Sequence, residues 1–164
     1  MPGLSNKYID NLMKICVLNN ENFKGVLSCD IFLRLVKSGR LKLFPGQGLI
    51  LNLSSSNHPG SHWVCTFLNE NGTLEFFDSF GMDCYDRNIL QTFKLLKHTV
   101  VNFKKKLQHQ DSIFCGFFCI AWLLCREVNI SNDRFHSFFY EKNLKKNDDI
   151  CIEIIKKFIE LRQI

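Results

Sequence analysis

The stretch from Gln108 to Arg126, QHQDSIFCGFFCIAWLLCR, constrains the fold of this chain most. A polar loop carrying Gln108 and Ser112 gives way at Cys115-Gly116 to an almost wholly apolar run, Phe117 to Cys125. Such a run predicts a helix buried on all sides, around which the rest of the chain is organised. Its first turn begins at a thiol. Unpaired N–H groups and the positive end of a helix dipole favour thiolate over thiol, and thiolate is the form that attacks a carbonyl carbon. An unreactive buried cysteine is the default alternative, because Cys is among the most often buried residue types. What decides between the two lies upstream.

Composition removes several classes of protein. At 164 residues, 46% hydrophobic and 23% charged, with sixteen Phe, the chain fits one globular domain over residues 1–164 with a real core. Its longest apolar run, Ile113 to Cys125, is too short to cross a bilayer, and MPGLSNKYID lacks the basic-then-apolar pattern of an export signal, so no membrane is expected. The eight cysteines contain no CxxC pair, which argues against zinc or any other metal. Most sit in apolar or periodic segments, as reduced thiols of an intracellular protein would. The net charge of +5 is moderate. Its tightest basic run, Lys104-Lys105-Lys106, reads either as a solvated face or as a weak polyanion-binding surface.

Taken in order, Ser5 can cap a helix with Tyr8, Ile9, Leu12, Met13 and Cys16 at helical spacing, and Ser28 a second with Ile31, Phe32, Leu35 and Val36 on one face. Leu49 to Leu53 reads as a short buried strand. His62 to Leu68 and Thr73 to Phe80 read as strands joined by turn residues, a strong hairpin signal. Asp86 can cap a helix, Thr99 to Phe103 is a further strand, and the last third is helical, with Asn132 or Asp133 and Asn147 as openings. The reading is one α+β domain.

The hairpin places His62 near the start of one strand and Asp78 near the end of its partner. Side chains alternate faces, so the two share a face only if the loop holds an odd number of residues or a bulge intervenes. A three-residue loop, Glu70-Asn71-Gly72 with Gly72 left-handed, satisfies this and makes them diagonal neighbours. A thiol protease needs a thiolate, an imidazole, a group that orients the imidazole and donors for the oxyanion. Cys115, His62, Asp78 and Gln108 supply one of each. His58, His98, His109 and His136 are rival bases, and His109 is nearest Cys115 in sequence. Cys119, one turn beyond Cys115, is expected in the core.

His62-Trp63, the DSFG of residues 78–81, and Gln108 followed at a fixed interval by CGFFC resemble the adenovirus-type cysteine endopeptidases, the adenain family. The likeness covers His62 to Trp122, with a fainter match at Phe23 to Asp30. It implies a mixed central sheet flanked by helices with the catalytic Cys115 opening a buried central helix. It also implies a Cys115-His62-Asp78 triad, Gln108 as oxyanion donor, and Trp63 and Gly116 as substrate-binding or site-shielding residues. The activity implied is cleavage of viral or virus-like-element precursor proteins at small-residue, Gly-Gly-type sites, by a monomer in the host nucleus and virion. No cofactor is needed for the chemistry, but stimulation by DNA or by a short peptide belongs to the resemblance. Asp78 stands where the adenoviral enzymes use Glu, and Lys97 stands near where a peptide-linking cysteine would fall. A protease for ubiquitin-like modifiers has the same catalytic order and is the alternative within enzymes. A non-catalytic nucleic-acid-binding protein is the alternative from another class.

Overall fold

The computed structural model describes residues 4–163, so Met1–Gly3, at the head of the segment read as lacking an export signal, and Ile164 lie outside the described residues. The hairpin forms as β3 (Trp63–Leu68) and β4 (Thr73–Phe77). Leu68 pairs with Leu74, and the Asn69 N–H donates to the Thr73 carbonyl at 3.0 Å, which leaves Glu70, Asn71 and Gly72 as the loop. Gly72 has φ 77°, the left-handed conformation that such a loop requires and a side chain would strain. The odd loop keeps His62 and Asp78 on one face, just past the paired ends of their strands.

Three more strands complete a mixed sheet in the order β1-β2-β3-β4-β5. β1 (Phe23–Ser28) pairs parallel with β2 (Gln47–Asn52), β2 antiparallel with β3, and β4 parallel with β5 (Thr99–Phe103). β1 falls where the sequence pattern predicts no strand. The reason is physical: it is a half-exposed edge strand without clean alternation, and its register shifts between Phe23 and Val26, around Gly25 at φ 105°.

Helices cover both faces. On one side, α2 (Cys29–Lys37) and α3 (Arg87–Leu96) close a core of Phe32, Leu49, Leu51, Val64, Leu74, Phe76, Ile89 and Phe93. Asp86 caps α3 through the Ile89 N–H, as expected. On the other side lie α1 (Asn6–Cys16), α4 (Cys115–Glu127), α5 (Asn132–His136) and α6 (Asn147–Arg162). α4 is the centre of that layer. Gly116 and all of Phe118 to Cys125 are buried against β3, α1 and α6, with Trp122 stacked on Phe77 at 5.1 Å. Each such large apolar side chain contributes on the order of 2 kcal/mol of burial free energy.

An ion pair and a carboxylate clamp lock this layer in place. Arg126, in the last turn of α4, meets Glu75 of β4 with Nε–Oε2 2.7 Å and Nη2–Oε1 2.9 Å, both side chains nearly buried. Glu127 accepts the N–H groups of Leu18 and Asn19, tying the end of α1 to α4. The fold is thus α+β, a mixed central sheet flanked by helices. Two of its helices open on cysteine, α2 at the buried Cys29 and α4 at Cys115. Among the described residues no helix is long and apolar enough to cross a membrane.

Candidate active site

α4 aims its positive end at a cleft of about 730 Å³ whose walls include His62, Trp63, Gln108 and Cys115. Phe114 precedes the helix without a capping side chain, so the N–H groups of the first turn are not occupied by one. The Cys115 thiol is half-buried at this point. Elsewhere in the fold, burial holds cysteines in the thiol form: it pushes Cys16 and Cys84 up to about 11 and Cys125 up to about 12, and raises Cys29, Cys65, Cys119 and Cys151. Cys29 also starts a helix, yet its thiol donates to the Leu53 carbonyl and receives the Asn88 amide, which makes it a structural thiol.

His62 joins the two halves of the site. One ring nitrogen, Nε2, lies 2.9 Å from Asp78 Oδ1, and the ring lines the same cleft as Cys115, near enough for the sulfur to bear on its pKa. Phe80 lies against the ring at 5.1 Å. Burial alone would lower the pKa of His62; the hydrogen bond to Asp78, the Asp78 charge and the neighbouring Cys115 sulfur outweigh it and raise the ring to about 9. At neutral pH the imidazole is therefore held as a cation beside the thiol. Asp78 is held in turn, because Oδ1 also accepts the Phe80 N–H at 2.8 Å.

Gln108 is buried at the cleft floor with both ends of its amide fixed. Oε1 accepts the Ser79 hydroxyl, and Nε2 donates to the Ser112 carbonyl at 2.8 Å and reaches Ser112 Oγ at 3.3 Å. Trp63 is almost fully buried and donates its indole N–H to the Leu4 carbonyl at 3.2 Å. Gly116 explains how it fits. A Cβ there would lie 3.0 Å from Leu4, 3.1 Å from Ile9 and 3.3 Å from Trp63, so the bare backbone lets the tryptophan close over the start of α4.

The structure thus brings Cys115, His62, Asp78, Gln108, Trp63 and Gly116 together at one place. It does not bring the lysines there. Lys104, Lys105 and Lys106 are exposed beyond β5, Lys104 pairs with Asp83 at 3.3 Å, and none lines the cleft. Among the rival bases, His109 pairs with Asp111, His136 approaches Glu141, and His58 bonds Ser55 and Asn57. No group of three or more His, Cys, Asp or Glu among the described residues could hold a metal ion. Sequence reasoning assigns no role to Ser79 and Phe80, although both lie inside the DSFG motif. It also passes over Asn52, whose Oδ1 accepts the Ser54 and Ser61 N–H groups and shapes the loop beside the cleft.

A buried helix that opens on a thiol, packed against a sheet whose hairpin presents a histidine and an acid, is a fold shared with solved proteases. Solved structures with this architecture include three of varied source. The pS273R protease of ASFV superposes with a TM-score of 0.60 at 18% identity over 90% of the chain, which spans 66% of that protease's length. ChlaDub1 of Chlamydia trachomatis gives 0.58 at 11% identity, covering 98% of this chain and 94% of that one. The SUMO protease Ulp1, with its catalytic cysteine oxidised to a sulfinic acid, gives 0.52 at 14% identity, covering 96% and 79%. At these identities the likeness is one of fold, and it does not single out the adenain family. No protein-family model and no curated protein sequence matches the chain.

Proposed function

We propose that the protein is a cysteine endopeptidase in which Cys115 attacks the scissile carbonyl, His62 shuttles the proton, Asp78 orients His62 and Gln108 donates to the oxyanion. The observation that carries this reading is His62, held by Asp78 at 2.9 Å, in the cleft that Cys115 and Gln108 also line. His62 would hold Cys115 as thiolate, then protonate the leaving amine; the backbone N–H of Cys115 and the Gln108 amide would face the negative charge on the former carbonyl oxygen. Substrates would be polypeptides cut at small-residue sites, with viral or virus-like-element precursors, processed in the host nucleus and virion, as the favoured class.

Two further readings have an observation behind them. The likeness to a SUMO protease over 96% of the chain favours processing of ubiquitin-like modifiers by the same residues. An excess of exposed cations favours a polyanion partner: residues 31–69 and 87–110 contain no Asp or Glu, and Arg34, Lys37, Arg40, Lys42, Arg87, Lys94, Lys97 and Lys104 to Lys106 are exposed, with Lys104 paired to Asp83. DNA would then stimulate cleavage, steeply less so as salt rises.

Cleavage profiling against a peptide library and a panel of ubiquitin-like precursors, with Cys115→Ala as control, tests the proposal. Cys115-dependent cutting of extended peptides supports the endopeptidase. Cutting confined to folded modifiers favours the second reading, and cleavage that survives Cys115→Ala removes the assignment.

A further inference from the structure

We infer that Asp148, on α6, is a positioning residue for Gln108, acting through Ser112; the inference rests on the reading of Cys115 as nucleophile and Gln108 as oxyanion donor. Ser112 has one hydroxyl proton, and it goes to Asp148 Oδ1 at 2.8 Å. With that proton committed, the oxygen's lone pairs are left to accept, and they face the Phe114 N–H at 3.2 Å and, at 3.3 Å, the Gln108 amide Nε2, whose shorter bond of 2.8 Å goes to the Ser112 carbonyl. One hydroxyl therefore ties the oxyanion donor, the residue that precedes the catalytic helix, and α6.

The other end of Gln108 is fixed independently. The Ser79 carbonyl accepts both the Leu107 and Gln108 N–H groups, and the Ser79 hydroxyl donates to Oε1, so the amide can point its NH₂ only toward Ser112 and the cleft. Asn147, beside Asp148 and fully buried, donates to the Leu107 carbonyl at 2.8 Å. Adjacent residues of α6 thus grip the Gln108 loop at both ends. Packing does not demand this, because α6 is already anchored by Cys151, Ile155 and Phe158. Without an acceptor on α6, the Ser112 proton is free to turn toward Gln108, where it would oppose the amide N–H and leave the Ser112 carbonyl as the one remaining hold on the donor.

The test compares Asp148→Ala, which removes the acceptor, with Asp148→Asn, whose Oδ1 can still accept the Ser112 proton. With a fluorogenic peptide ending in Gly-Gly as probe, Asp148→Ala should lower kcat about tenfold, part of the loss expected for a misaligned donor, with KM little changed. Alkylation of Cys115 by iodoacetamide, which develops no oxyanion, should stay within about twofold of wild type, because the change spares the reactive pair. Asp148→Asn should restore kcat, and the Gln108 side-chain amide peaks in ¹⁵N-labelled protein should move in Asp148→Ala and return in Asp148→Asn. An unchanged kcat in Asp148→Ala, alkylation that falls in step with kcat, or an Asn variant no better than Ala overturns the inference. A wild-type chain with no Cys115-dependent turnover defeats the proposed function itself and is told apart by needing no variant.

Discussion

Replacing Asp78 with Asn isolates the electrostatics of the site. Oδ1 of Asp78 accepts from both His62 and the Phe80 N–H, and an asparagine can keep that oxygen in place. Only the charge is lost. Holding His62 near 9 instead of 6.5 favours the imidazolium by about 3 kcal/mol, at ~1.4 kcal/mol per pKa unit. A unit charge at contact range is worth ~4 kcal/mol at an effective dielectric near 20, enough to supply this against the opposing burial of the ring. The Asp78→Asn ring should therefore titrate at least ~2 pH units lower, since burial remains and the charge does not. The assay is an NMR titration of the His62 ring protons in both proteins. The sign for stability follows from linkage: His62 titrates higher folded than unfolded, so its contribution is fully present below about 6.5 and is lost as pH rises through about 9. Urea denaturation across that window should show wild type losing up to ~3 kcal/mol and Asp78→Asn losing distinctly less, since only the Cys115 contribution remains there. A His62 that titrates identically in both proteins would refute the claim that Asp78 sets its charge.

Other outcomes follow from the same geometry. Iodoacetamide at mildly acidic pH should modify Cys115 well before the buried thiols, as mapped by peptide mass; uniform labelling would count against an activated nucleophile. Cys115→Ala should abolish peptide cleavage while leaving the thermal midpoint within a few degrees of wild type. Gly48→Ala should destabilise by ~1–3 kcal/mol in urea titrations through overpacking, because a Cβ there would sit 2.6 Å from Leu123 and 2.9 Å from the Thr66 carbonyl. Arg126→Ala should cost ~3–5 kcal/mol, since it leaves the nearly buried Glu75 carboxylate unpaired; a loss under ~1 kcal/mol would mean that water reaches the pair.

Much of the site is legible in the sequence because local chemistry dictates it. The register of the hairpin is readable because Gly72 sits where an odd loop needs a left-handed residue, and that parity alone decides whether His62 and Asp78 can meet. The helix at Cys115 is readable from its unbroken apolar run. β1 is not, since a bulged edge strand around Gly25 carries neither alternation nor a buried run. α5 ends at His136 although the last third reads as helical, and Phe138 and Phe139 beyond it are held by tight backbone turns. The supports of Gln108 are equally hidden. Ser79, Ser112 and Asp148 are ordinary polar residues far apart in sequence, and only the packing of α6 onto the loop gives them a common task.

The distribution of thiols also makes the chain a gauge of its own opening. Cys29 lies in the core between the sheet and α2–α3, whereas Cys119, Cys125 and Cys151 lie in the core around α4. Because each is sealed from solvent, its labelling rate under native conditions reports how often its own side of the sheet comes apart. Equal rates on the two sides would mean that the sheet and both helical layers unfold as one cooperative unit. A faster Cys29 would mean that the α2–α3 layer breathes while the layer holding Cys115 stays shut.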